Sequence, residues 1–326
     1  LRCSSPPKQS SLTSLKTPHR QCRVAWTTSK PSHPPQLMIA FVTSDKAREL
    51  DEDMAPLCGA MLHLGVPHDV VAWDDPSVDW SSYSVVIVRS TWDYHTRIDE
   101  FLAWVDHVSS VTRLCNSRAV IRWNTDKRYL ADLASVGVPV VPTSFISSPE
   151  EMSSFAARSS NWEDVVVKPT VSAGSNDTAR HNSFESAAAH MNNLLGRGKV
   201  VMLQPYQKEI DELGETAMVY MAGEFSHAFY KGPILADNSG DTRNSLFVEE
   251  TIRAHSATSA QRAIGDRLMT YMIDSFGEAP LYARVDVVPG VDGPLLLELE
   301  VTEPSLYFST AEGSVEGFAE LCAGLG

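Results

Sequence analysis

Short apolar runs alternate with amphipathic stretches along most of the chain, a pattern that is typical of an α/β protein. The first part of this pattern begins at Met38, and its amphipathic stretches end at typical stop signals such as Gly65. The predicted elements are strand Met38–Thr43, helix 46–64, strands His68–Trp73 and Ser84–Arg89, and helix Ile98–Ser109. This β-α-β-β-α order predicts a small doubly wound N-terminal domain over residues 38–122.

Two further units follow in the pattern, and no internal repeat is visible. The second unit, residues 123–206, is predicted to contain helix Thr125–Val136, strand Val140–Ile146, helix Pro149–Ser159, strand Asp164–Lys168, helix Ser183–Leu195 and strand Lys199–Gln204. The third unit, residues 207–326, is predicted to contain strands Thr216–Met221 and Glu224–Lys231, helix 257–275, a hairpin over 284–300 and helix 313–323. We therefore expect a small α/β domain followed by two α+β lobes.

Residues 1–37 differ in composition from everything that follows them. They are rich in Ser, Thr and Pro, and they carry six Lys or Arg and no acid. Two interpretations are open: an organelle-targeting peptide, or a non-native extension that precedes a true start at Met38. We exclude this segment from the fold, and we expect the protein to be cytoplasmic unless the segment is a genuine targeting peptide.

The net charge of −14 argues against a nucleic-acid partner, because an acidic body repels a phosphate backbone. No apolar run approaches the length of a membrane span, so no membrane partner is expected. The five cysteines are widely spaced and form no CxxC pair. This spacing argues against a zinc cluster or a disulfide framework and favours a reducing compartment. The oligomeric state is left open, including a homo-oligomer.

Acidic residues are concentrated in the predicted C-terminal hairpin. Alternation along a strand places Arg284 and Asp286 on one face, and Glu298 and Glu300 on one face of the next strand. The turn-forming residues 289–293 would bring the three carboxylates together, with Leu and Val on the opposite side. Crowded carboxylates of this kind favour a hard cation such as Mg²⁺ or Mn²⁺. The alternative is a hairpin with a solvated acidic face.

Two lysines are candidates for binding an anion. Lys168 ends an apolar strand and enters a loop of small residues, where backbone N–H groups can approach phosphate oxygens. Lys127 follows Asn124 and Thr125, either of which could cap a helix whose N-terminus also attracts anions. The alternatives are a plain turn and a solvated helical lysine. The loop is not a Walker A motif, because its lysine precedes the glycine.

Two other segments are predicted to line a ligand site. Leu203–Tyr206 ends a strand between two units and forms a hinge at which an adenine ring could lie, or it is a simple connector. Arg89–Tyr94 follows a buried-type strand, where ligands of open α/β sheets gather. Arg89 could hold a substrate carboxylate there, with Trp92 and Tyr94 shaping the pocket. The alternative is interdomain packing with an Arg89–Asp93 pair.

Taken in order, five motifs resemble those of the ATP-grasp superfamily over residues 38–326. They are Asn-x-Asp-Lys at 124–127, Lys-Pro-x-x-Ser-x-Gly-Ser at 168–175, Gln-Pro-Tyr at 204–206 with a later Gly-Glu, Arg-x-Asp at 284–286 and Glu-x-Glu at 298–300. The resemblance is strongest to the branch that holds bacterial glutathione synthetase and the O-ureido-serine cyclo-ligase of cycloserine biosynthesis. The segments 90–94 and 298–306 are more similar to the cyclo-ligase.

The resemblance implies a role for individual residues. For ATP it implies Lys127, Lys168, Ser172, Gly174, Ser175, Gln204, Pro205, Tyr206 and Glu215, with Lys231 also facing the nucleotide. For Mg²⁺ (or Mn²⁺) it implies Asp286, Glu298 and Glu300, although the third ligand is often Asn in this family. Arg284, Lys168 and Arg243 are the implied catalytic residues, and the residues around Arg243 depart from the family pattern. The substrate residues are Arg89, Ser90, Thr91, Trp92, Asp93 and Glu303.

The predicted function is that of an ATP-dependent ligase that joins a carboxylate to an amine through an acyl phosphate. Its partners would be small-molecule carboxylate and amine substrates, amino-acid-like or peptide, and the bond could close within one molecule. Two alternatives remain: a phosphotransferase of the same fold acting on a hydroxyl, and a non-catalytic nucleotide-binding sensor or interaction protein. The sequence does not identify the two substrates.

Overall fold

Four parallel strands form the first sheet of the computed structural model, which describes residues 37–158, 164–235, 242–243, 247–248 and 250–325. The strands are β1 (Ile39–Thr43), β2 (His68–Ala72), β3 (Val85–Ser90) and β4 (Arg113–Cys115), in the order β2-β1-β3-β4. The helices of this region are α1 (Met54–His63), α2 (Ile98–Val111) and α3 (Arg118–Asn124). Every strand pair is parallel, as the doubly wound prediction requires.

Alternating side chains give this sheet two buried faces, because both sides are covered. Ile39 and Phe41 of β1 share a core with Leu57 of α1. Ala40 and Val42 point the other way, into a core that they share with the α2 residues. The carboxyl end of a parallel sheet of this kind is where ligands gather.

The second sheet has four antiparallel strands in the order β5-β8-β6-β7. Its region contains α4 (Tyr129–Ser135), β5 (Ser144–Ile146), α5 (Pro149–Arg158), β6 (Val165–Pro169), β7 (Ala179–His181), α6 (Phe184–Gly196) and β8 (Val201–Pro205). Val165 and Val167 of β6 pack against Met191 and Leu194 of α6. The strand that carries Lys168 is therefore held by a buried apolar face.

The third sheet has five antiparallel strands in the order β13-β10-β9-β14-β15. Its region contains α7 (Ile210–Leu213), β9 (Glu215–Met221), β10 (Glu224–Lys231), β11 (Thr242–Arg243), β12 (Phe247–Val248), β13 (Ile252–His255), α8 (Ser259–Phe276), β14 (Tyr282–Val288), β15 (Leu295–Glu300) and α9 (Ser314–Ala323). A capping box between Thr258 and Gln261 begins α8, and Gly277 ends it with a φ of 81°. Strands β11 and β12 pair with each other.

The two faces of the third sheet have different roles. Val285 and Leu299 pack with Leu268 of α8 in one apolar core. The opposite face carries the charged side chains of the hairpin. The last helix, α9, returns to the first sheet, where Phe318 and Cys322 share the core of β1. Leu37–Gly326 consequently form one compact unit, and the predicted boundaries at 122 and 206 stay predictions.

Most predicted elements are present, with a few differences that have local causes. The predicted helix 46–64 begins only at Met54, because residues 45–50 form turns and Asp51 accepts a hydrogen bond from the Asp53 N–H. Sequence reasoning missed β4, α3, β7, α7, β11, β12 and β13, which are short and carry little periodicity. None of the helices in the described ranges combines the length and the apolarity that a membrane crossing needs.

The prediction that Asn124 or Thr125 caps a helix start is wrong. Asn124 is the last residue of α3, and Thr125 follows it as the C-cap. The Asn124 amide instead bridges the free edge of β15, where Nδ2 donates to the Leu299 carbonyl at 2.7 Å and Oδ1 accepts from the Val301 N–H at 3.0 Å. Asn124 therefore uses both a donor and an acceptor, which a capping residue does not need.

This difference can be tested with Asn124→Asp. Aspartate caps helices as well as asparagine does, so a cap would tolerate the change. In the structure the variant loses its donor and places a buried carboxylate against the Leu299 carbonyl, so the free energy of unfolding should fall by about 1–3 kcal/mol. Urea unfolding measures the loss, with the exposed Asn192→Asp as the control. Equal stabilities of the two variants would contradict the bridge.

Candidate active site

A cavity of about 560 Å³ lies where the three sheets meet. Its walls come from the carboxyl end of the first sheet, from β6 and the loop after it, from the end of β8 and from the charged face of the third sheet. The volume is within the range of sites that hold small molecules and cofactors. It contains most of the predicted site residues: Trp92, Lys127, Lys168, Ser172, Gly174, Ser175, Gln204, Pro205, Tyr206, Glu215, Lys231, Arg284, Asp286, Glu298, Glu300 and Glu303.

The hairpin of β14 and β15 has the predicted arrangement. Its antiparallel register places Asp286 opposite Glu298 and Arg284 opposite Glu300. Val285 and Leu299 are directly opposed on the apolar side. The register shifts after Asp286. This shift keeps apolar residues beyond it on the apolar side of the sheet, although their spacing in the sequence is odd. The alternation of the sequence is therefore sufficient to bring three carboxylates to one side of the sheet.

Asp286 is the most deeply buried of these carboxylates, and two cations hold it. The Arg284 guanidinium donates to both of its oxygens, from Nε at 2.9 Å and from Nη2 at 3.0 Å. Lys231 Nζ lies 2.9 Å from Oδ2 and also pairs with Glu215 at 3.3 Å and Glu250 at 3.5 Å. Although burial opposes ionisation, the two cations lower the pKa of Asp286 to about 2. Asp286 is therefore ionised at neutral pH.

Lys127 joins the hairpin to the loop after β6. Its Nζ lies 3.0 Å from Glu298 Oε1 and donates to the Ser172 carbonyl at 2.7 Å. Burial opposes its charge, yet the neighbouring Glu298 carboxylate keeps the pKa of Lys127 above its ordinary value. The same loop contains Gly174 and Ser175 in the left-handed region, with φ values of 58° and 59°. Lys127 thus connects a carboxylate of the hairpin with the small-residue loop.

Lys168 has a different environment. It is buried, and no carboxylate of the described ranges lies within ion-pair distance of its amine. Burial is the main cause that lowers the pKa of Lys168, and the nearby Lys127 and Lys231 lower it further while Glu298 opposes them. A buried lysine without its own counter-ion is costly, and an anion in the cavity would remove that cost. Lys168 therefore fits the phosphate group of a nucleotide.

The three predicted metal ligands fit a divalent cation by their chemistry. Burial raises the pKa of Glu300 to about 7, despite the nearby Arg284, and the Glu298 and Asp286 charges add to this rise. A hard cation would relieve this repulsion, and carboxylate oxygens are its preferred ligands. In the arrangement shown, each carboxylate instead contacts a lysine or arginine, and no three Asp, Glu, His or Cys side chains of the described part surround a common point.

The predicted hinge lies at the end of β8, beside the second sheet. Gln204 Nε2 donates to Thr143 Oγ1 at 2.9 Å, and the Tyr206 N–H donates to the Asp164 carbonyl at 2.9 Å. The Arg180 guanidinium lies 3.6 Å from the centre of the Tyr206 ring. These contacts hold the hinge residues at the cavity wall, where a planar ring could lie against them.

The first-domain residues are divided between the cavity and the core. Trp92 lines the cavity, and its Nε1 donates to the Glu303 carbonyl at 3.1 Å. Arg89 is only 1% exposed and does not line the cavity; its guanidinium is 3.6 Å from Asp53 and lies over the rings of Tyr282 and Phe318. Its burial does not fit a direct substrate clamp in this arrangement, and the alternative Arg89–Asp93 pair is also not formed.

The remaining predicted substrate and catalytic residues lie elsewhere. Ser90 and Thr91 are fully buried, and Ser90 Oγ donates to Thr43 Oγ1 at 2.8 Å. Asp93 accepts from Trp73 Nε1 at 3.0 Å, on the side of the first domain. Arg243 lies in β11, but its side chain is outside the described residues, so its catalytic role stays a prediction. Of the residues predicted to contact a substrate or to shape its pocket, Trp92, Tyr94 and Glu303 therefore line the cavity.

Several cavity residues were missed because no motif marks them. Asp51, Asp53, Glu250, Ser305 and Tyr307 all line the cavity. The two aspartates lie in the segment that the periodicity assigned to a helix, and Glu250 lies two residues before the start of β13. Tyr307 has a φ of 48°, which no residue preference would have indicated. Only the tertiary arrangement reveals these five residues.

Glu303 provides a prediction about the effect of pH on stability. Burial, and then the charge of Glu300, raise the pKa of Glu303 to about 8 from an ordinary value of 4.5. Between these two values the folded protein binds a proton that the unfolded chain releases, so stability falls as pH rises. Glu303→Gln removes this loss. Its Tm relative to the native protein should therefore rise from about pH 5 to about pH 9. A Tm difference that matches the exposed Glu312→Gln at both pH values would contradict this.

Comparison with known proteins shows consistent similarities. Residues 39–116 match the family model "D-cycloserine synthetase DcsG, N-terminal domain". The chain is 37% identical over 295 residues to the cycloserine biosynthesis protein DcsG of Streptomyces lavendulae, which covers 88% of this chain and 98% of that protein. The crystal structure of D-cycloserine synthetase DcsG matches with a TM-score of 0.81 and 36% identity, over 89% of this chain and all of that one.

A more distant solved structure shares only the fold. The ATP-grasp ligase PsnB, complexed with a phosphomimetic variant of its minimal precursor, Mg and ADP, matches with a TM-score of 0.58 and 18% identity. The match covers 88% of this chain and 97% of the PsnB chain. The chain therefore spans nearly the full length of the proteins that it resembles.

Proposed function

The chain belongs to the family of D-cycloserine synthetase DcsG, and from this premise we propose that it closes the ring of a small serine-derived carboxylate with the energy of ATP. The proposed substrate is O-ureido-serine. Its carboxylate and its nitrogen nucleophile would be parts of one molecule, which makes the reaction an intramolecular form of carboxylate–amine ligation.

The broader class is established by family membership. The protein is an ATP-dependent ligase with the ATP-grasp fold, as the five ordered motifs predict. Neither of the two alternatives, the phosphotransferase and the non-catalytic sensor, agrees with membership of this ligase family. ATP and Mg²⁺ are used by ligases of this fold in general, and their use by this protein is part of the proposal.

The observation that carries the proposed ATP site is the charge arrangement of the cavity. Lys168 is a buried cation without a carboxylate of the described ranges in ion-pair distance, and Lys127 reaches the same cavity from the turn between α3 and α4. A triphosphate between the two amines would neutralise both. Ser172, Gly174 and Ser175 supply small side chains that allow backbone N–H groups to approach its oxygens. The adenine ring would lie beside Gln204, Pro205 and Tyr206.

The proposed chemistry has two steps. A carboxylate oxygen of the substrate attacks the γ-phosphorus of ATP, the bond from that phosphorus to the bridging oxygen breaks, and ADP leaves. The substrate nitrogen then attacks the carbonyl carbon of the acyl phosphate, and the bond from that carbon to the phosphate oxygen breaks. Lys127 and Lys168 would offset charge that develops on the transferred group in the first step, and Arg284 would do so in both.

The hairpin carboxylates would hold the metal of this reaction. Asp286, Glu298 and Glu300 are the proposed ligands, and a Mg²⁺ (or Mn²⁺) ion there would neutralise phosphate charge. Binding it requires Glu298 and Asp286 to exchange part of their contacts with Lys127 and Lys231. Those lysines would then be free to contact the phosphates. The carboxylates would thus bind the metal, and the lysines that they now hold would bind the nucleotide.

The cavity is compatible with a small substrate. Its volume of about 560 Å³ lies within the range of sites that hold cofactors and small molecules. Membership of the family, rather than this volume, favours a single amino-acid-like molecule over a peptide. We also propose a reducing, cytoplasmic location, since Cys58, Cys115 and Cys322 are free thiols.

An ADP-release assay with Mg²⁺ tests the proposed function. Both enantiomers of O-ureido-serine are supplied, with glycine, serine and alanine as other carboxylates, and products are identified by mass spectrometry. We expect ADP release and a cyclised product from one enantiomer of O-ureido-serine. Hydroxylamine added to the reaction should yield a hydroxamate, which an acyl phosphate gives and a phosphorylated hydroxyl does not. ADP release that is accompanied by a phosphorylated hydroxyl, with no hydroxamate, would contradict the proposal.

A further inference from the structure

The backbone segment that follows β15, residues 303–308, forms one wall of the cavity. Glu303, Ser305 and Tyr307 of this 303–308 segment all line the cavity. The segment is not part of a helix or sheet before its last residue, so its own backbone hydrogen bonds do not hold it in place. Its position must therefore depend on the side chains around it.

A single carboxylate from the first domain receives most of the free N–H groups of this segment. Asp53 accepts from Leu306 at 2.6 Å and from Tyr307 at 3.0 Å through Oδ2, and from Phe308 at 2.9 Å through Oδ1. Asp53 is only 4% exposed. Three charge-assisted hydrogen bonds to one buried carboxylate form a strong anchor. This contact joins residues that are more than 250 positions apart in the sequence.

The same segment is connected to the proposed catalytic residues on its other side. Arg284 Nη1 donates to the Ser305 carbonyl at 3.2 Å, and Trp92 Nε1 donates to the Glu303 carbonyl at 3.1 Å. His227 Nε2 lies 2.8 Å from the Leu306 carbonyl. Tyr307 has a φ of 48°, a conformation that a bulky residue keeps only where its surroundings impose it. The segment thus connects Asp53, which it contacts through its N–H groups, with Arg284, which it contacts through the Ser305 carbonyl.

We propose that Asp53 is a positioning residue of the ligase reaction. It holds the 303–308 segment so that the Arg284 guanidinium and the Glu303 carboxyl face the reacting group. Arg89, 3.6 Å behind Asp53, supports the same carboxylate instead of contacting a substrate. This inference rests on the proposed function, because it assigns to Arg284 the role that the ligase chemistry gives it.

The test is Asp53→Asn, which keeps the shape of the side chain but replaces one acceptor oxygen by a donor. At least one of the three N–H bonds is lost, together with the charge that pairs with Arg89. We expect kcat to fall by about 10- to 100-fold, as misplacement of catalytic groups does. The affinity for ATP should stay within about twofold of the native value, because Lys127 and Lys168 are anchored elsewhere. The matched control is Asp79→Asn, at a surface carboxylate of the same region that also accepts a backbone N–H, that of Ser81.

A purely structural role would give a different result. In that case Asp53→Asn would lower Tm while kcat per folded molecule stayed within about twofold of native, and the proposal would be overturned. In an Arg284→Lys background, the additional loss of kcat from Asp53→Asn should shrink to about threefold or less, because both changes affect one unit. An undiminished additional loss in that background would also contradict the proposal.

Hydrogen exchange separates this inference from the proposed function. Amides of the 303–308 segment should exchange faster in Asp53→Asn than in the native protein, and unchanged exchange overturns the positioning role whatever the substrate is. Absence of turnover in the native protein with every carboxylate would instead contradict the proposed function. If Asp53→Asn does not fold, His227→Gln tests the proposal instead, because it weakens the contact that holds the Leu306 carbonyl. It should reduce kcat and accelerate exchange in the same segment, and the absence of both effects would overturn the proposal.

Discussion

Lys168→Met is expected to abolish turnover and to leave the fold intact or slightly more stable. The lysine is buried without a carboxylate of the described ranges in ion-pair distance, and burial lowers its pKa. An apolar side chain of similar length removes that desolvation cost in the nucleotide-free protein. In catalysis, one preorganised charge of this kind is typically responsible for about a hundredfold or more in kcat. Lys168→Ala should lose turnover to the same degree.

The two effects are measured separately, turnover by ADP release and stability by thermal unfolding without nucleotide. Lys199→Met is the matched control, because Lys199 lies in the same region and its amine donates to the His95 carbonyl, at 3.4 Å. Near-native turnover of Lys168→Met would refute its proposed role. Unfolding of the variant would show that Lys168 supports the fold instead.

Asp286→Asn is expected to damage both stability and activity. The change keeps the size of the side chain but removes the negative charge between Arg284 and Lys231. Two buried cations are then left without their main partner, and breaking such a pair costs about 3–5 kcal/mol of unfolding free energy. Turnover should fall by about a hundredfold or more, since a proposed metal ligand is lost as well.

Chemical denaturation and ADP release at rising Mg²⁺ concentration measure these two losses. The control is Asp106→Asn, which also removes a carboxylate between two arginines, Arg118 and Arg122, but at the exposed surface. A loss of about 0–1 kcal/mol is expected there, with native turnover. If Asp286→Asn is as stable and as active as Asp106→Asn, the charge arrangement of the cavity has been misinterpreted.

The two variants differ because the two side chains have different surroundings. Lys168 has no carboxylate in the described part to leave behind, whereas Asp286 is the centre of a buried network. We therefore expect the charge of Lys168 to serve ligand binding alone, and the charge of Asp286 to serve both ligand binding and protein stability.

Sequence reasoning was sufficient wherever the information is local. Alternation along 284–286 and 298–300 predicted the shared carboxylate face, and the apolar run before Lys168 predicted the strand that delivers it. These features follow from the period of a strand, which a few neighbouring residues determine. The order of the five motifs then indicated the fold, because it constrains distant segments jointly.

Contacts between distant segments could not be predicted in the same way. The Asp53 carboxylate meets Leu306 because the segment after the last strand packs into the core of the first sheet, which contains Leu306. Arg89 was assigned to a substrate because its strand ends at the edge where ligands gather, but its side chain turns into the core beside Tyr282. Nothing in the neighbouring sequence indicates whether the side chain of such a residue faces the core or the cavity.

The central claim is that this cavity activates a substrate carboxylate by phosphorylation. It is tested most directly by supplying O-ureido-serine labelled with ¹⁸O in its carboxylate and analysing the phosphate that is released with ADP. Transfer through an acyl phosphate predicts one ¹⁸O atom in each phosphate formed, and no transfer in Lys168→Met. Phosphate that carries no ¹⁸O, released at the same rate as ADP, would contradict the account.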